Sequence, residues 1–380
     1  MTVVHERLHS LDSLRAIMML LGLVIHTAIS YGQFDYGEAW PIKDVVSSGF
    51  SFDMIVFYIH TFRMPVFFVI SGFFGAFIFF EKSPLAMLKN RMVRILLPFI
   101  VFMVLLWPII VFVWVYCLSI MAGGTAPVTE AWNVMKNGTT YVPTNTVHLW
   151  FLYYLIFFSL LGWCLGFLQT QFALTANTVK IGLEWLLKNS LLRVLILTSL
   201  TFGILMLMKN PWPEKSGGFI PDFKPFLNYF VFYIFGWLLY GSKHLLQDFS
   251  KNCWPLFIAG TSVFLIRLFN YPSFSMAGNA AANAFIAWSL IFAFIGLFMR
   301  YLNHYSKSMR YISDASYWIF LVHLPLTALG AGLLMGVDLP AFVKFLIILI
   351  TASLLCLFSY KYCVRNTFIG QFLNGKRHEE

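Results

Sequence analysis

The stretch ILLPFIVFMVLLWPIIVFVWVYCL, residues 95–118, contains 24 residues in a row without one charged side chain. An α-helix rises about 1.5 Å per residue, so a helix of this length reaches roughly 36 Å, which exceeds the roughly 30 Å of hydrocarbon in a bilayer. The run is continuously apolar, whereas a strand of a membrane barrel alternates apolar and polar residues. Residues 95–118 therefore predict a helix that spans a membrane.

The composition of the whole chain agrees with that helix. Of 380 residues, 59% are hydrophobic and 11% are charged, whereas soluble domains carry about 25% charged residues. A lipid bilayer is therefore the expected surrounding, and a soluble globule, a disordered chain and a disulfide scaffold are excluded. The net charge of +10 does not predict nucleic-acid binding, because no soluble domain with a basic face is present. The five cysteines lack any metal-ligand spacing, and we expect no metal site.

Apolar runs long enough to cross a bilayer occur about ten times along the chain. They predict an all-α polytopic membrane protein, although the short sixth and seventh runs and the long second run leave counts of nine and eleven open. The runs cover roughly residues 14–31, 54–80, 95–118, 148–168, 191–208, 226–241, 254–270, 280–299, 315–334 and 341–363.

The basic residues predict how the chain is oriented. With ten spans and both termini in the cytoplasm, 18 of the 26 Lys and Arg residues fall on the cytoplasmic side, as the positive-inside rule expects. The net charge is therefore explained by topology. Residues 1–380 read as a single membrane domain that ends in a short cytoplasmic tail, 364–380, and the first apolar run is expected to stay as a helix rather than to be cleaved.

Charged and titratable residues inside apolar runs are costly in lipid, so each is a functional candidate. In the first run, Asp12, Arg15 and His26 lie within about 80° of one another on a helix. His26 comes eleven residues after Arg15, roughly 16 Å further along the axis. For Arg15 alone, snorkelling to the membrane surface explains the position; for His26 we favour a catalytic role over a structural hydrogen bond.

Arg63 lies in the second run, close to His60 and Ser71 on one side of the predicted helix. An arginine inside a membrane needs a carboxylate, a phosphate or water as a partner. Two interpretations are open: Arg63 contacts the substrate, or it pairs with one of the three nearby acidic residues Asp35, Asp44 and Asp53.

Arg91 and Arg94 stand three residues apart at the start of the third run. Residues at this spacing share a helix face, and two guanidinium groups there can grip phosphate oxygens. An ordinary positive-inside anchor explains the same spacing.

Two further histidines, His148 and His323, accompany aromatic residues in the fourth and ninth runs. A lone histidine in such a run is usually a packing residue with no catalytic role. Several histidines at or inside membrane spans instead favour a role in proton transfer, because free imidazole titrates near pH 6.5.

The ordered set LDSLRA, a histidine eleven residues after its arginine, FFVISGFF, RMVR and SYWIFLVHLPL resembles the membrane acyltransferase-3 superfamily. Members of this family are ten-helix enzymes that acylate extracytoplasmic glycans. FRMPVFFVISGFF, HLWFL and LVHLPLT resemble its periplasmic-glucan succinyltransferase branch. The resemblance implies a multi-pass protein of the bacterial inner membrane. Larger relatives carry a fused extracytoplasmic hydrolase-like domain that this chain lacks.

The resemblance also implies roles for particular residues. His26 matches the essential first-helix histidine, Arg15 the helix-entry arginine, and Arg91 with Arg94 the motif that grips the phosphates of acyl-coenzyme A. His323 matches a late histidine whose role the family does not define.

These observations lead to one mechanistic hypothesis. Acyl-coenzyme A, as succinyl- or acetyl-coenzyme A, is a donor substrate rather than a bound cofactor, and its arm follows the stripe of Asp12 and Arg15 towards His26. His26 removes the proton of a sugar hydroxyl while Arg63, or another donor, stabilises the oxyanion. A covalent acyl-His26 intermediate is the variant left open. The competing class is a transporter or flippase, although the sequence lacks the related halves typical of many carriers. The sequence leaves the acyl group, the acceptor position and the oligomeric state open.

Overall fold

The structure is a computed structural model that describes residues 8–211, 217–270 and 273–374. Within these residues the chain forms helices and no strand, which confirms the predicted all-α class. Four basic residues of the topology argument, Arg7, Lys215, Lys376 and Arg377, lie outside the described residues, as does the end of the predicted tail, 375–380.

Fourteen α-helices are described in chain order: α1 His9–Ala28, α2 Phe50–Glu81, α3 Pro84–Arg91, α4 Leu97–Met121, α5 Pro127–Met135, α6 Trp150–Gln171, α7 Ala173–Lys188, α8 Ser190–Met208, α9 Phe223–Tyr240, α10 Cys253–Phe269, α11 Met276–Tyr301, α12 Lys307–Leu333, α13 Ala341–Ser359 and α14 Phe368–Asn374.

Nine helical segments of the described chain are long and apolar enough to cross a membrane. They correspond to nine of the ten predicted runs. The remaining run, predicted at 226–241, forms α9, an 18-residue helix. α9 carries Lys224, Pro225 and Asn228 in its first two turns, and these residues lower its apolar character.

The burial of α9 explains why it tolerates polar residues. α9 packs along α2, and its Asn228, Tyr229 and Tyr233 are shielded from the surroundings of the bundle. Glycines on both helices allow this close approach: a methyl group on Gly72 would overlap the carbonyl oxygen of Tyr233, and a methyl group on Gly236 would overlap that of Val69. Small residues at such contacts are typical of helix pairs in membranes.

The helix α1 lies at the centre of the bundle, where it contacts α2, α11, α12 and α13. By contrast, α10 and α13 expose many large apolar side chains, as expected for helices that face lipid. Because α1 is central, the polar residues predicted on it face other helices.

Two helices were missed by the sequence interpretation. The segment between the third and fourth runs contains α5, and the segment before the fifth run contains α7. Both are too short or too polar to cross a membrane, so a search for long apolar runs passes over them. On α7, Leu174 and Trp185 are largely exposed beside Lys180 and Lys188, a composition typical of a helix lying at a membrane surface.

Candidate active site

Three histidines from distant parts of the sequence meet inside the bundle. The ring centroids of His26 and His323 lie 5.2 Å apart, and those of His323 and His148 lie 5.5 Å apart. His26 comes from α1, His323 from α12, and His148 from the turn just before α6. We call these three residues the histidine centre. The described residues contain no group of three or more His, Cys, Asp or Glu side chains suited to hold a metal ion.

Backbone carbonyls of α12 fix the orientation of His323. This side chain is 1% exposed, and its Nδ1 lies 3.0 Å from the carbonyl oxygen of Ile319 and 2.8 Å from that of Phe320. Since a carbonyl oxygen only accepts, Nδ1 carries the hydrogen, and Nε2 of the neutral ring carries the lone pair. Nε2 is buried and has no hydrogen-bond partner among the described residues. His323 therefore presents an unengaged basic nitrogen close to His26.

His148 is oriented by the same helix. Its Nε2 donates to the carbonyl oxygen of Leu321 at 2.9 Å. In a regular helix the carbonyl oxygen of Leu321 would accept a hydrogen bond from the backbone N–H of residue 325. Pro325 has no N–H, so this carbonyl is left free to accept from another donor. The helix α12 continues through Pro325, and the freed carbonyl of Leu321 positions His148.

Arg63 borders the histidine centre from α2. Its Nε donates to the carbonyl oxygen of Met18 at 2.9 Å, and it is close enough to His323 for their charges to interact. The guanidinium lies against Gly22: a methyl carbon added to Gly22 would be 2.5 Å from Nη2. Gly22 is one helical turn before His26, so the guanidinium lies against the same face of α1 that carries His26.

The three aspartates considered as partners for Arg63 are engaged elsewhere. Asp44 forms an ion pair with Lys344 at 2.7 Å. Asp53 accepts from the backbone nitrogens of Gln33 and Phe34, and Asp35 accepts from that of Gly37. The structure thus supports none of the three Arg63–Asp pairs, and the guanidinium is directed at the helix α1.

A second cluster gathers Arg15, Arg91 and Arg94, whose positive charges interact with one another. We call it the arginine centre. Arg15 forms an ion pair with Asp12 at 3.4 Å, and Arg91 Nη2 donates to the carbonyl oxygen of Ser71 at 3.3 Å. Arg91 Nε is buried without a hydrogen-bond partner among the residues described. The cluster holds more positive than negative charge and has a spare donor, as an anion site requires.

The chain around Arg94 has an unusual backbone. Residues Met92–Leu96 form a π-helical turn between α3 and α4, and the hydroxyl of Tyr317 donates to the carbonyl oxygen of Arg94 at 2.9 Å. Such turns are rare and occur frequently at functional sites. The turn begins directly after Arg91 and contains Arg94.

The two centres are separated along α1. Asp12 and Arg15 belong to the arginine centre, and His26 lies roughly 16 Å further along the axis from Arg15. Between them, Ser316 of α12 donates to the carbonyl oxygen of Ser313 at 2.9 Å and lies 3.5 Å from Met19 Sδ. The structure therefore divides the predicted site residues into two groups instead of one continuous polar stripe.

One residue beside His26 was not foreseen. Trp40, in the loop after α1, places its indole 5.3 Å from the imidazole at an angle of 30°. No periodic pattern surrounds Trp40 in the sequence, so its return into the bundle carries no local signal.

Comparison with known proteins identifies the class to which this fold and site belong. The sequence profile of a family described as "Acyltransferase domain" (Acyl_transf_3) matches residues 8–361. The chain therefore belongs to this family of membrane acyltransferases.

Among curated proteins, the chain is similar to glucans biosynthesis protein C of Escherichia coli strain K12, of Escherichia coli O157:H7 and of Shigella dysenteriae serotype 1. In each case 344 residues align at 27% identity, covering 85% of this chain and 82% of the relative. No solved structure shows significant similarity to the chain.

Proposed function

We propose that the protein transfers an acyl group from cytoplasmic acyl-coenzyme A to a hydroxyl of an extracytoplasmic glycan. The observation that carries the proposal is the pair of centres on α1, a phosphate-type site of arginines and a base-type site of histidines. A thioester donor with a long phosphorylated carrier needs both, separated by the length of its arm. The family membership supports acyl transfer as the chemistry.

The arginine centre is assigned to the phosphates of coenzyme A. Guanidinium groups bind phosphate through paired N–H donors, and the three arginines supply several such donors, including the buried Nε of Arg91. The distribution of basic residues supports a cytoplasmic location for this end of the bundle and for both termini. The pantetheine arm then extends along α1 past Met19.

The histidine centre is assigned to the chemical step. His26 takes the proton of the attacking hydroxyl, the oxygen attacks the thioester carbon, and Arg63 stabilises the negative charge that develops on the carbonyl oxygen. When the C–S bond breaks, the proton held by His26 passes to the leaving thiolate. His323, whose Nε2 lone pair is unengaged, relays this one proton: it accepts the proton from His26 after the attack and returns it before the thiolate leaves.

A covalent acyl-His26 intermediate uses the same residues in a different order. In that route His26 attacks the thioester carbon first, the C–S bond breaks and coenzyme A leaves as its thiolate. The acceptor oxygen then attacks the acyl carbon, the bond from that carbon to His26 breaks, and His323 Nε2 receives the proton of the acceptor hydroxyl. Rapid mixing of the protein with labelled donor and no acceptor distinguishes the routes, because only the second leaves label on the protein.

The name of the relatives supports a glucan as acceptor, and the likeness to the succinyltransferase branch favours succinyl over acetyl. A succinyl group carries a carboxylate, and Arg63 is a cation at the depth where that carboxylate would lie. The proposed location is the bacterial inner membrane, within which the lipid-facing α10 and α13 are in contact with the bilayer.

The test uses purified full-length protein in detergent with succinyl- or acetyl-coenzyme A carrying a labelled acyl group, and a β-glucan oligosaccharide. We expect label on the sugar with the wild type and at least about 100-fold less with His26→Ala, the scale of a lost general base. Movement of the oligosaccharide across a membrane with no label on it would instead identify a carrier.

His60→Ala is the matched control. His60 lies in α2 and its Nδ1 contacts its own helix at the carbonyl oxygen of Val56, 2.9 Å away. A histidine in a membrane helix is removed in both variants, but only His26 belongs to the histidine centre. Equal losses in the two variants would contradict the assignment of His26.

A further inference from the structure

The loop between α1 and α2 covers one side of His26. Trp40 is 1% exposed, and its indole N–H donates to Ser30 Oγ at 2.8 Å, so the ring is held in place over the imidazole. Ser30 also anchors the loop itself, since its carbonyl oxygen accepts from the backbone nitrogen of Asp44 at 2.9 Å. The indole of Trp40 is thus supported from the end of α1 and from within the loop.

Further contacts attach this loop to the end of α1, to α13 and to the segment just before α13, and one more lies within the loop. Asp44 pairs with Lys344 of α13, and both side chains are almost fully buried, 2% and 0% exposed. Ser47 Oγ donates to the carbonyl oxygen of Leu339 at 3.0 Å. Lys43 Nζ donates to the carbonyl oxygens of Ile29 and Gly32 at 3.0 and 3.1 Å, and burial lowers the pKa of this lysine. A buried ion pair across two segments is a costly feature to maintain, and here it fastens the cover over the site.

An acyl-coenzyme A thioester next to a histidine base faces a competing reaction. Water can take the place of the sugar hydroxyl: its oxygen attacks the thioester carbon, His26 takes its proton, the C–S bond breaks, and the thiolate leaves as free coenzyme A with a carboxylic acid. Exclusion of water is a recognised means by which active sites prevent such hydrolysis. An imidazole open to solvent would not discriminate between water and a sugar hydroxyl.

From this geometry we infer that Trp40 determines the selectivity of the reaction, because it shields His26 and the adjacent thioester from water. The inference rests on the proposed function, in which the thioester reaches His26. Trp40 is a positioning residue here: it contacts His26, and it has no acid–base group of its own. Its removal opens one side of the imidazole to water while the other neighbours of His26 stay in place.

The experiment measures how labelled acyl groups are divided between water and sugar. Purified wild type, Trp40→Leu and Trp40→Phe receive labelled acyl-coenzyme A with and without the oligosaccharide, and free acid and acyl-sugar are separated. With Trp40→Leu we expect the ratio of hydrolysis to transfer to rise at least about tenfold, a change that a lost water barrier readily gives. Trp40→Phe keeps an aromatic ring over His26 and is expected to stay within about twofold of the wild type.

Two further variants separate this role from a general loss of structure. Trp132→Leu is the matched control, because Trp132 lies on α5 in another connecting segment and is 62% exposed. Ser30→Ala removes only the anchor of the indole and should raise the ratio in the same direction as Trp40→Leu. Size-exclusion chromatography of each purified variant and a separate measurement of its thermal unfolding verify that the compared proteins are folded.

Each outcome is decisive. A raised ratio in Trp40→Leu and Ser30→Ala, with an unchanged ratio in Trp132→Leu, supports the shield. If Trp40→Leu slows hydrolysis and transfer equally and leaves the ratio unchanged, Trp40 has a structural role only and the inference is overturned. If the wild type itself puts no label on the sugar, the proposed function fails, which is a separate result from a failure of the shield.

Discussion

The contact between Gly22 and Arg63 permits a sharp test, because a single methyl group should displace the proposed oxyanion donor. In Gly22→Ala the new carbon would lie 2.5 Å from Arg63 Nη2 and 3.0 Å from Cζ, whereas ordinary contact begins at 3.4 Å. The clashing atoms are the far end of a flexible side chain, so the helices stay in place and the guanidinium moves by about 1 Å. A misplacement of that size at a reacting centre costs about 100-fold in rate.

The predicted loss corresponds to about 2.7 kcal/mol of transition-state stabilisation, since each tenfold in rate is about 1.36 kcal/mol. The substitution should lower kcat and leave the affinity for acyl-coenzyme A unchanged. The reason is that the arginine centre is roughly 10 Å or more away from Gly22 along α1. The assay is the initial rate of labelled acyl transfer over a range of acyl-coenzyme A concentrations. Gly203→Ala is the control: the same substitution in α8 meets no atom within 4 Å.

A double-mutant cycle identifies the cause of the loss. Arg63→Met removes the guanidinium, so adding Gly22→Ala to Arg63→Met should lower the rate by less than about threefold, a strong departure from additivity. The reasoning is refuted if Gly22→Ala keeps the wild-type rate. It is refuted equally if the two losses simply multiply, because the methyl group would then act through something other than Arg63.

Three more predictions follow from single contacts. His323→Asn keeps an amide donor for the carbonyls of α12 but removes the Nε2 lone pair; kcat should fall by about 100-fold with little change in KM, and a wild-type kcat would contradict the role. Arg91→Lys and Arg94→Lys keep the charge but lose the planar fork, so the KM for acyl-coenzyme A should rise about tenfold in each while kcat persists; a titration of the donor measures this, and unchanged KM values would remove the phosphate assignment. Lys344→Met leaves the Asp44 carboxylate buried without its cation and should destabilise the protein by about 3–5 kcal/mol, seen as a lower thermal midpoint in detergent; adding Asp44→Asn should restore most of it, and no recovery would show that the charge is not the cause.

The fold could be predicted from the sequence wherever a helix crosses the lipid, because such a helix requires a long apolar run. Residues 95–118 form a helix long and apolar enough to span a membrane because no charged residue interrupts the run. Other runs do so although they carry one or two charged residues, such as Arg15 and Arg63. The run at 226–241 was recognised despite Tyr229 and Tyr233, but its burial against α2 was not. That burial depends on Gly72 and Gly236 meeting across two helices, a pairing that no local pattern encodes. The helices α5 and α7 were missed because neither is a long apolar run.

The candidate site divides in the same way. His26, Arg63 and the pair Arg91 and Arg94 stood out as costly residues in apolar runs. Their grouping into two centres was not predictable, because it depends on how α2, α3 and α12 pack around α1. Asp12 and His26 point in similar directions around the axis of α1. They are far apart along that axis, so they belong to different centres.

The connecting segments carried the least signal. Trp40 reaches His26 only because the loop after α1 folds back and is fastened by Asp44 and Lys344, which are 300 residues apart in the sequence. The aspartates near Arg63 were plausible partners by proximity in the chain, and the structure uses them to build this loop. Long-range contacts of that kind require the three-dimensional arrangement.

The central claim is that one chain joins a donor bound at the arginine centre to an acceptor on the opposite side of the membrane. The most direct measurement uses sealed proteoliposomes with labelled acyl-coenzyme A on one side and the glucan oligosaccharide only on the other. We predict label on the glucan in vesicles whose arginine centre faces the donor, with His26→Ala reducing it at least about 100-fold. Label that appears only when donor and acceptor share one side, or that persists in His26→Ala, would contradict the account.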